Sequence, residues 1–308
     1  MQNLSQSTIS REIKFTGIAL HSGVKSQVRL LPANENTGIV FKRIDLENNN
    51  TIKANFKNVS SAKLCTTLSN ENGVSVSTVE HLMAAFYITG VDNVMVEINN
   101  SEVPIMDGSS KDFIKLIKEK GISKQFSKKK YLKILKKIEL NVDDKIISIE
   151  PNNNELRVNF QLSYNNEIIG NQKNSVGFND NNLIDIYSSR TFCLFEDIEK
   201  IKKQGYARGG SLENALVVKN NEILNENGLR NKKEFVNHKI LDLVGDFLLS
   251  GYRILGTVNC FQGGHHLSNI FLKEVFKDST NFELTSDKKE FISKKKFKTS
   301  INKIAVNA

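Results

Sequence analysis

The stretch from residue 234 to 250 constrains this chain most. Phe235, Val236, Ile240, Leu241, Leu243, Val244, Phe247, Leu248 and Leu249 spread around most of a helical circumference, and Gly251 closes the run. A helix that is apolar nearly all round belongs inside a sizeable core. Yet His238, Asp242 and Asp246 recur at i, i+4 and i+8 and form one polar stripe along it. Buried carboxylates without partners are expensive. Two solutions fit the stripe. One is a structural polar network. The other is a cation, because a histidine and an aspartate one helical turn apart can ligate one Zn2+.

The 308 residues suffice for about two domains at roughly 150 residues each. A charged fraction of 25% excludes wholesale disorder. The formal charge of +9 invites a nucleic-acid reading, but its distribution opposes one. Residues 128–137 carry six lysines and no acid, and residues 288–298 carry six lysines and one glutamate, so the remainder sums to −2. Such runs read as a solvated face or tail, or as an attraction to an acidic partner such as a transient anionic membrane surface. No nucleic acid and no obligate protein partner are expected. Cys65, Cys193 and Cys260 are odd in number and far apart, which gives no disulfide framework and suits a reducing compartment. The first ten residues lack the apolar core of a signal peptide, and no run reaches the ~20 apolar residues of a membrane span. The chain reads as soluble and cytoplasmic.

Alternation over residues 13–60 predicts short strands. A helix is expected over 77–89, ended by Gly90, then a strand over 93–98 and a helix over 110–120 capped by Gly121. The polar, basic segment 123–130 reads as a linker. Strands follow over 131–140, 146–150 and 156–162. A short helix near 182–188, a helix over 196–203 and a strand over 215–218 suggest a βαβ insertion. The long helix leads to a strand over 254–260. Pattern fades past about residue 276, so the remainder reads as a lysine-rich tail, and a chain ended near residue 281 is expected to keep its activity. Val79-Glu80-His81 and Val236-Asn237-His238 each open a helix that ends at a glycine before an apolar strand. This is a weak internal repeat, from two related halves or from chance.

Three further segments bear on the stripe. Ser77 and Glu80 fit a capping box, while His81 beside them could supply a third ligand. Gly263-Gly264-His265-His266 follows a predicted strand, as an ordinary turn or as a close backbone approach that places a histidine. Arg190-Thr191-Phe192 precedes the βαβ insertion and says nothing alone.

Together these segments resemble one family, the UDP-3-O-acyl-N-acetylglucosamine deacetylases of lipid A synthesis. The matching stretches are Gly17-Ile18-Ala19-Leu20-His21-Ser22-Gly23, Leu64-Cys65-Thr66-Thr67-Leu68 and Ser77-Thr78-Val79-Glu80-His81-Leu82-Met83-Ala84-Ala85. Glu102-Val103-Pro104-Ile105-Met106-Asp107-Gly108-Ser109, Ser189-Arg190-Thr191-Phe192, His238-Lys239-Ile240-Leu241-Asp242-Leu243-Val244-Gly245-Asp246 and Gly264-His265 continue the series. They keep the family's order from about residue 10 to about residue 272.

The resemblance implies an α+β fold of two similar two-layer sheet/helix domains, packed with the active site between their helix layers. Residues 1–126 would form the first, with a small strand insertion. Residues 127–275 would form the second, with the βαβ insertion at about 193–219, and residues 276–308 the basic tail. It implies one Zn2+ per chain on His81, His238 and Asp242. It implies Glu80 as general base, His265 as general acid held by Asp246, and Thr191 as the hydroxyl that stabilises the oxyanion. Lys239 and Phe192 match substrate-contacting positions, Lys239 beside the diphosphate. His21, Leu64 and Cys65 fall where the family lines its site. Leu194, Ile198 and Ile201 are candidates for the acyl groove, or simply pack their helix. Phe160 and Tyr164 are candidates to stack on the uracil. Leu194 stands where the family often has an aromatic, and Gln262 where it often has a lysine. The implied reaction is hydrolysis of the N-acetyl group of the UDP-linked acylated amino sugar, giving acetate and a free amine. A zinc amidase for another N-acyl sugar and a non-enzymatic module for anionic surfaces are the rival readings.

Overall fold

The computed structural model describes residues 5–180 and 182–286. The fold is α+β and is built from one topological unit used twice. The first copy begins with Ser5–Ile9 (β1), the hairpin Ile13–Ile18 (β2) and Lys25–Pro32 (β3), and the hairpin Ile39–Arg43 (β4) and Thr51–Lys53 (β5). A small sheet of Val59–Ser61 (β6), Thr67–Ser69 (β7) and Ser75–Val76 (β8) interrupts it. Glu80–Thr89 (α1), Val94–Ile98 (β9), Lys111–Lys120 (α2) and Ile122–Lys128 (β10) complete it.

The second copy repeats the order with Tyr131–Ile134 (β11), Ile138–Val142 (β12), Lys145–Pro151 (β13), Leu156–Ser163 (β14) and Asn171–Gly177 (β15). Its insert holds Ile184–Tyr187 (α3), Phe192–Leu194 (β16), Phe195–Lys203 (α4), Leu216–Lys219 (β17) and Glu222–Ile223 (β18). Glu234–Leu248 (α5), Arg253–Phe261 (β19), His265–Lys277 (α6) and Phe282–Thr285 (β20) close it.

Pairing repeats as well as order. The strand after the first-copy helix, β9, lies antiparallel to β3 and parallel to β4. Its counterpart β19 lies antiparallel to β13 and parallel to β14. Thr8 bridges Asn93 in parallel, as β11 pairs with the start of β19. The last strand of each copy runs antiparallel to the first: β10 on β1, and β20 on β11. In the second insert β16 and β17 are parallel around α4, the βαβ arrangement that the sequence suggested. The helices α1 and α2 pack together, α5 packs on α6, and the two pairs meet where α1 lies along α5.

Five local expectations change. The segment read as a linker is β10, whose alternating polar face suits an edge strand held by backbone bonds. The lysine run at 128–137 is not wholly solvated: Lys129 is buried with its Nζ 2.9 Å from Asp92, and Lys133 within β11 is buried too. The capping box does not form. Val79 caps α1 without a side-chain bond, Ser77 Oγ donates to the Ser101 carbonyl, and Glu80 turns away into the protein. A helix, α6, follows Gly264 where only a turn was read, with Leu267, Phe271 and Val275 buried at i, i+4 and i+8. Ordered structure then continues through β20, well past residue 276. The basic run at 288–298, and the membrane attraction read from it, lie outside the described residues. No helix among the described residues is long and apolar enough to cross a membrane.

The extra strand changes what truncation should do. Phe282 packs on Phe276 at 5.0 Å, and Phe276 stacks on Phe56 at 4.7 Å. A chain ended after Ser286 keeps β20 and its packing, and serves as the reference. Ending it after Asn281 removes β20 and that ring, which should cost about 2–3 kcal/mol and lower Tm by roughly 5–10 °C. Equal melting of both truncations, by calorimetry, would show that β20 adds nothing.

Candidate metal centre and active site

The crossing of α1 and α5 is closer than side chains normally permit. A Cβ at Gly245 would overlap the Glu80 carbonyl oxygen and stand 3.2 Å from the Ala84 nitrogen. Only a residue without a Cβ lets the backbones touch there. The contact brings the first turn of α1, with Glu80 and His81, against the stripe of His238, Asp242 and Asp246 on α5. All five are buried.

His81, His238 and Asp242 converge, with one ligand-type atom from each lying within 4.8 Å of the others. Asp242 Oδ1 lies 3.4 Å from His81 Nε2 and 3.3 Å from His238 Nε2, yet makes no hydrogen bond. His238 Nδ1 is 3.1 Å from the Ser189 carbonyl. A carbonyl only accepts, so Nδ1 carries the proton and Nε2 presents a lone pair. Burial drives the His238 imidazolium down to about 3 against the pull of Asp242, so the ring is neutral. Two acceptors, Nε2 and a carboxylate oxygen, therefore face each other in a buried place. That arrangement fits a metal ion, because a cation is what both lone pairs lack. The other oxygen, Oδ2, accepts from Lys239 Nζ at 3.0 Å. Burial works against the Asp242 carboxylate, but the Lys239 ammonium beside it helps hold it well below the usual range.

A proton-handling group adjoins the trio. His265 begins α6, with Nδ1 2.9 Å from Asp246 Oδ2 and Nε2 3.7 Å from Glu80 Oε1. Burial and the positive end of α6 both oppose an imidazolium there. Asp246 and Glu80 outweigh burial and raise His265 to about 10. Burial pushes Glu80 up from the carboxylate range, with His265 and His81 opposing.

A cavity of about 570 Å³ opens onto these groups. Thr191 and Phe192 line it, and the backbone of Thr191 is pinned on both sides: its N–H donates to Gly108 and its carbonyl accepts from Leu216. Lys239 lines it with its Nζ over the Phe192 ring at 5.5 Å. Leu64, Leu194 and Ile201 supply apolar wall. Ile198 does not reach the lining, and Asp197 and Ile201 represent α4 there. Cys65 and His21 sit behind the wall. Burial, reinforced by Glu80, raises the Cys65 thiol to about 12 and keeps it neutral. His21 packs edge-on to Tyr206 at 5.2 Å, and its Nε2 has no partner. Phe160 is largely buried and does not line this cavity, but it lines a smaller one of about 220 Å³ alongside Tyr164, Lys239 and Gln262. Tyr164 does line the cavity, edge-on to Phe192 at 5.8 Å.

Residues 6–277 match the family model described as UDP-3-O-acyl N-acetylglycosamine deacetylase. The chain belongs to this deacetylase family. It is 40% identical over 284 residues to the UDP-3-O-acyl-N-acetylglucosamine deacetylase of Campylobacter jejuni strain RM1221, covering 92% of this chain and 95% of the relative. The protein of the same name from Colwellia psychrerythraea is 42% identical over 283 residues, covering 91% and 92%. That from Pasteurella multocida is 40% identical over 293 residues, covering 94% and 96%.

Several residues that build this candidate site were not singled out from the sequence. Gly245 sets the helix crossing. Thr66 bonds to both Glu80 and Asp246. Glu234 takes the Arg190 backbone N–H and guanidinium, and so fixes the loop whose Ser189 carbonyl orients His238. Glu102 accepts from the His21 and Ser22 N–H groups and from Thr78 Oγ1. Gly245, Thr66 and Glu102 lay inside matched stretches, but only the fold reveals what each touches.

Replacing Gly245 with alanine should force the helices apart. Overpacking of this kind costs roughly 1–3 kcal/mol, and the metal ligands would separate with the helices. The variant should melt lower and hold less metal than the parent. A Gly245→Ala chain with parental Tm and full metal content would show that the crossing tolerates a methyl group.

Proposed function

We propose that His81, His238 and Asp242 hold one zinc ion, and that Glu80, His265, Asp246 and Thr191 carry out the deacetylation with it. The enzyme is a deacetylase of lipid A synthesis, as its family membership gives, and its substrate is a UDP-linked acylated amino sugar. The observation that carries the metal reading is the buried meeting of His238 Nε2 and Asp242 Oδ1, two acceptors 3.3 Å apart. Bound zinc would supply a Lewis acid and a water of lowered pKa.

The protein groups then divide the proton work. Glu80 lies where a carboxylate can take a proton from the attacking water, and its raised affinity suits a general base. His265 holds a proton on Nε2 and can deliver it to the departing nitrogen, while Asp246 fixes its Nδ1 side. The Thr191 hydroxyl, on a backbone fixed at both ends, would donate to the developing oxyanion. Lys239 lines the cavity with a charge suited to a substrate phosphate, beside Phe192. Leu64, Leu194 and Ile201 give the acyl chain an apolar wall, and Tyr164 and Phe160 are the rings to meet the uracil. Water excluded by such a chain strengthens each of these electrostatic contacts. The units that present these groups would span residues 5–128 and 131–286.

The test separates metal from proton chemistry. His81→Ala and His238→Ala should lose bound zinc, measured by emission spectrometry, together with nearly all acetate release from UDP-3-O-acyl-N-acetylglucosamine. Glu80→Gln should keep one zinc per chain and lose about 10²- to 10⁴-fold in kcat. Full zinc in either histidine variant would remove that residue from the metal shell. Zinc binding without acetate release by the parent chain would point to a different N-acyl sugar.

A further inference from the structure

We infer that Thr66 is a positioning residue that ties the proton acceptor and the support of the proton donor to one backbone point. Its N–H donates to Glu80 Oε2 at 3.1 Å, and its hydroxyl donates to Asp246 Oδ1 at 2.6 Å. Thr66 is 2% exposed, so neither bond competes with bulk water. Its carbonyl accepts from the Val79 N–H, which locks Thr66 to the start of α1. All three of its polar groups are therefore used, and two of them end on site carboxylates.

The chemistry follows from which oxygens are taken. Asp246 Oδ2 faces His265 Nδ1, and Asp246 Oδ1 faces Thr66. With both oxygens bonded, the carboxylate cannot rotate, and the His265 ring stays aimed with Nε2 toward Glu80 and the cavity. On the other side, the Thr66 N–H holds Glu80 Oε2 and leaves Oε1 as the oxygen facing His265. A left-handed backbone at Leu64, φ 64°, turns the chain into this position just before Thr66. Without the hydroxyl, Asp246 Oδ1 would be a buried carboxylate oxygen with no donor, and the ring it supports would lose its fixed direction. The hydroxyl donates only, so no proton leaves Thr66 in the cycle.

This inference rests on the reading of Glu80 and His265 as the proton groups. The test uses the zinc-loaded full chain with the parental substrate. Thr66→Val keeps the shape and removes the hydroxyl. It should retain one zinc per chain and lose roughly 10- to 100-fold in kcat, the effect expected for one hydrogen bond to a charged group. KM should stay within about 3-fold, because the hydroxyl does not touch substrate, and Thr66→Ser should restore kcat to within about 3-fold. In an Asp246→Asn background, Thr66→Val should cost less than about 3-fold more, because the two act as a unit. Thr66→Ala makes the same comparison if the valine variant melts early. Parental kcat in the hydroxyl-free variants, or an undiminished loss in the Asp246→Asn background, would overturn the inference. Parental turnover in Glu80→Gln would instead sink the proton-group reading on which it rests.

Discussion

The backbone contact between Gly245 and Glu80 is the constraint on which the site depends. It lies on α5 between Asp242 and Asp246, and on α1 beside His81. By letting two buried helices touch, it gathers three buried carboxylates, Glu80, Asp242 and Asp246, at one end of the cavity. Two protein cations answer them, Lys239 on Asp242 and His265 on Asp246 and Glu80. Such a cluster is costly to desolvate, and a deficit of positive charge remains. The proposed zinc meets that deficit at the one point where lone pairs face each other unbridged.

Around this crossing the second tier is built from rigid, buried partners. The Arg190–Glu234 pair, 2.8 Å apart, fixes the loop that orients His238 through Ser189. Leu64, Thr78 and Gln262 all take left-handed backbone conformations near the cavity, unusual for residues with a Cβ and of order 1–3 kcal/mol each. Thr78 is held there by its hydroxyl on Glu102, two residues before Glu80. Stability is thus spent locally to aim the groups that handle protons. The twofold use of one topological unit explains why this is geometrically simple: each copy contributes its central helix, and the site forms where the two helices meet.

The sequence made part of this plain. Continuous apolarity with an i, i+4, i+8 polar stripe marked α5 as a buried helix with charged business, and the glycines after both central helices marked their ends. The shared pattern after Glu80 and Asn237 hinted at the repeat. Other elements left little trace. The edge strand β10 pairs through its backbone and needs no apolar face, so its lysines and serines looked like a linker. The strand β20 sits at the other sheet's edge for the same topological reason, and its four residues are too few for periodicity to register. The apolar spacing of α6 was present at Leu267, Phe271 and Val275, but the paired glycines and histidines before it drew the reading toward a turn. Thr66 and Gly245 act through contacts across long sequence separations, and no local pattern encodes a partner 180 residues away.

The central claim is that a buried zinc is held by two imidazoles and one carboxylate, with the neighbouring thiol of Cys65 left out. X-ray absorption at the zinc edge on the full chain carrying one zinc tests this most directly. The account predicts only nitrogen and oxygen neighbours at about 2.0–2.2 Å, with the multiple scattering of two imidazoles. A sulfur neighbour at about 2.3 Å, or a shell with no imidazole scattering, would contradict it.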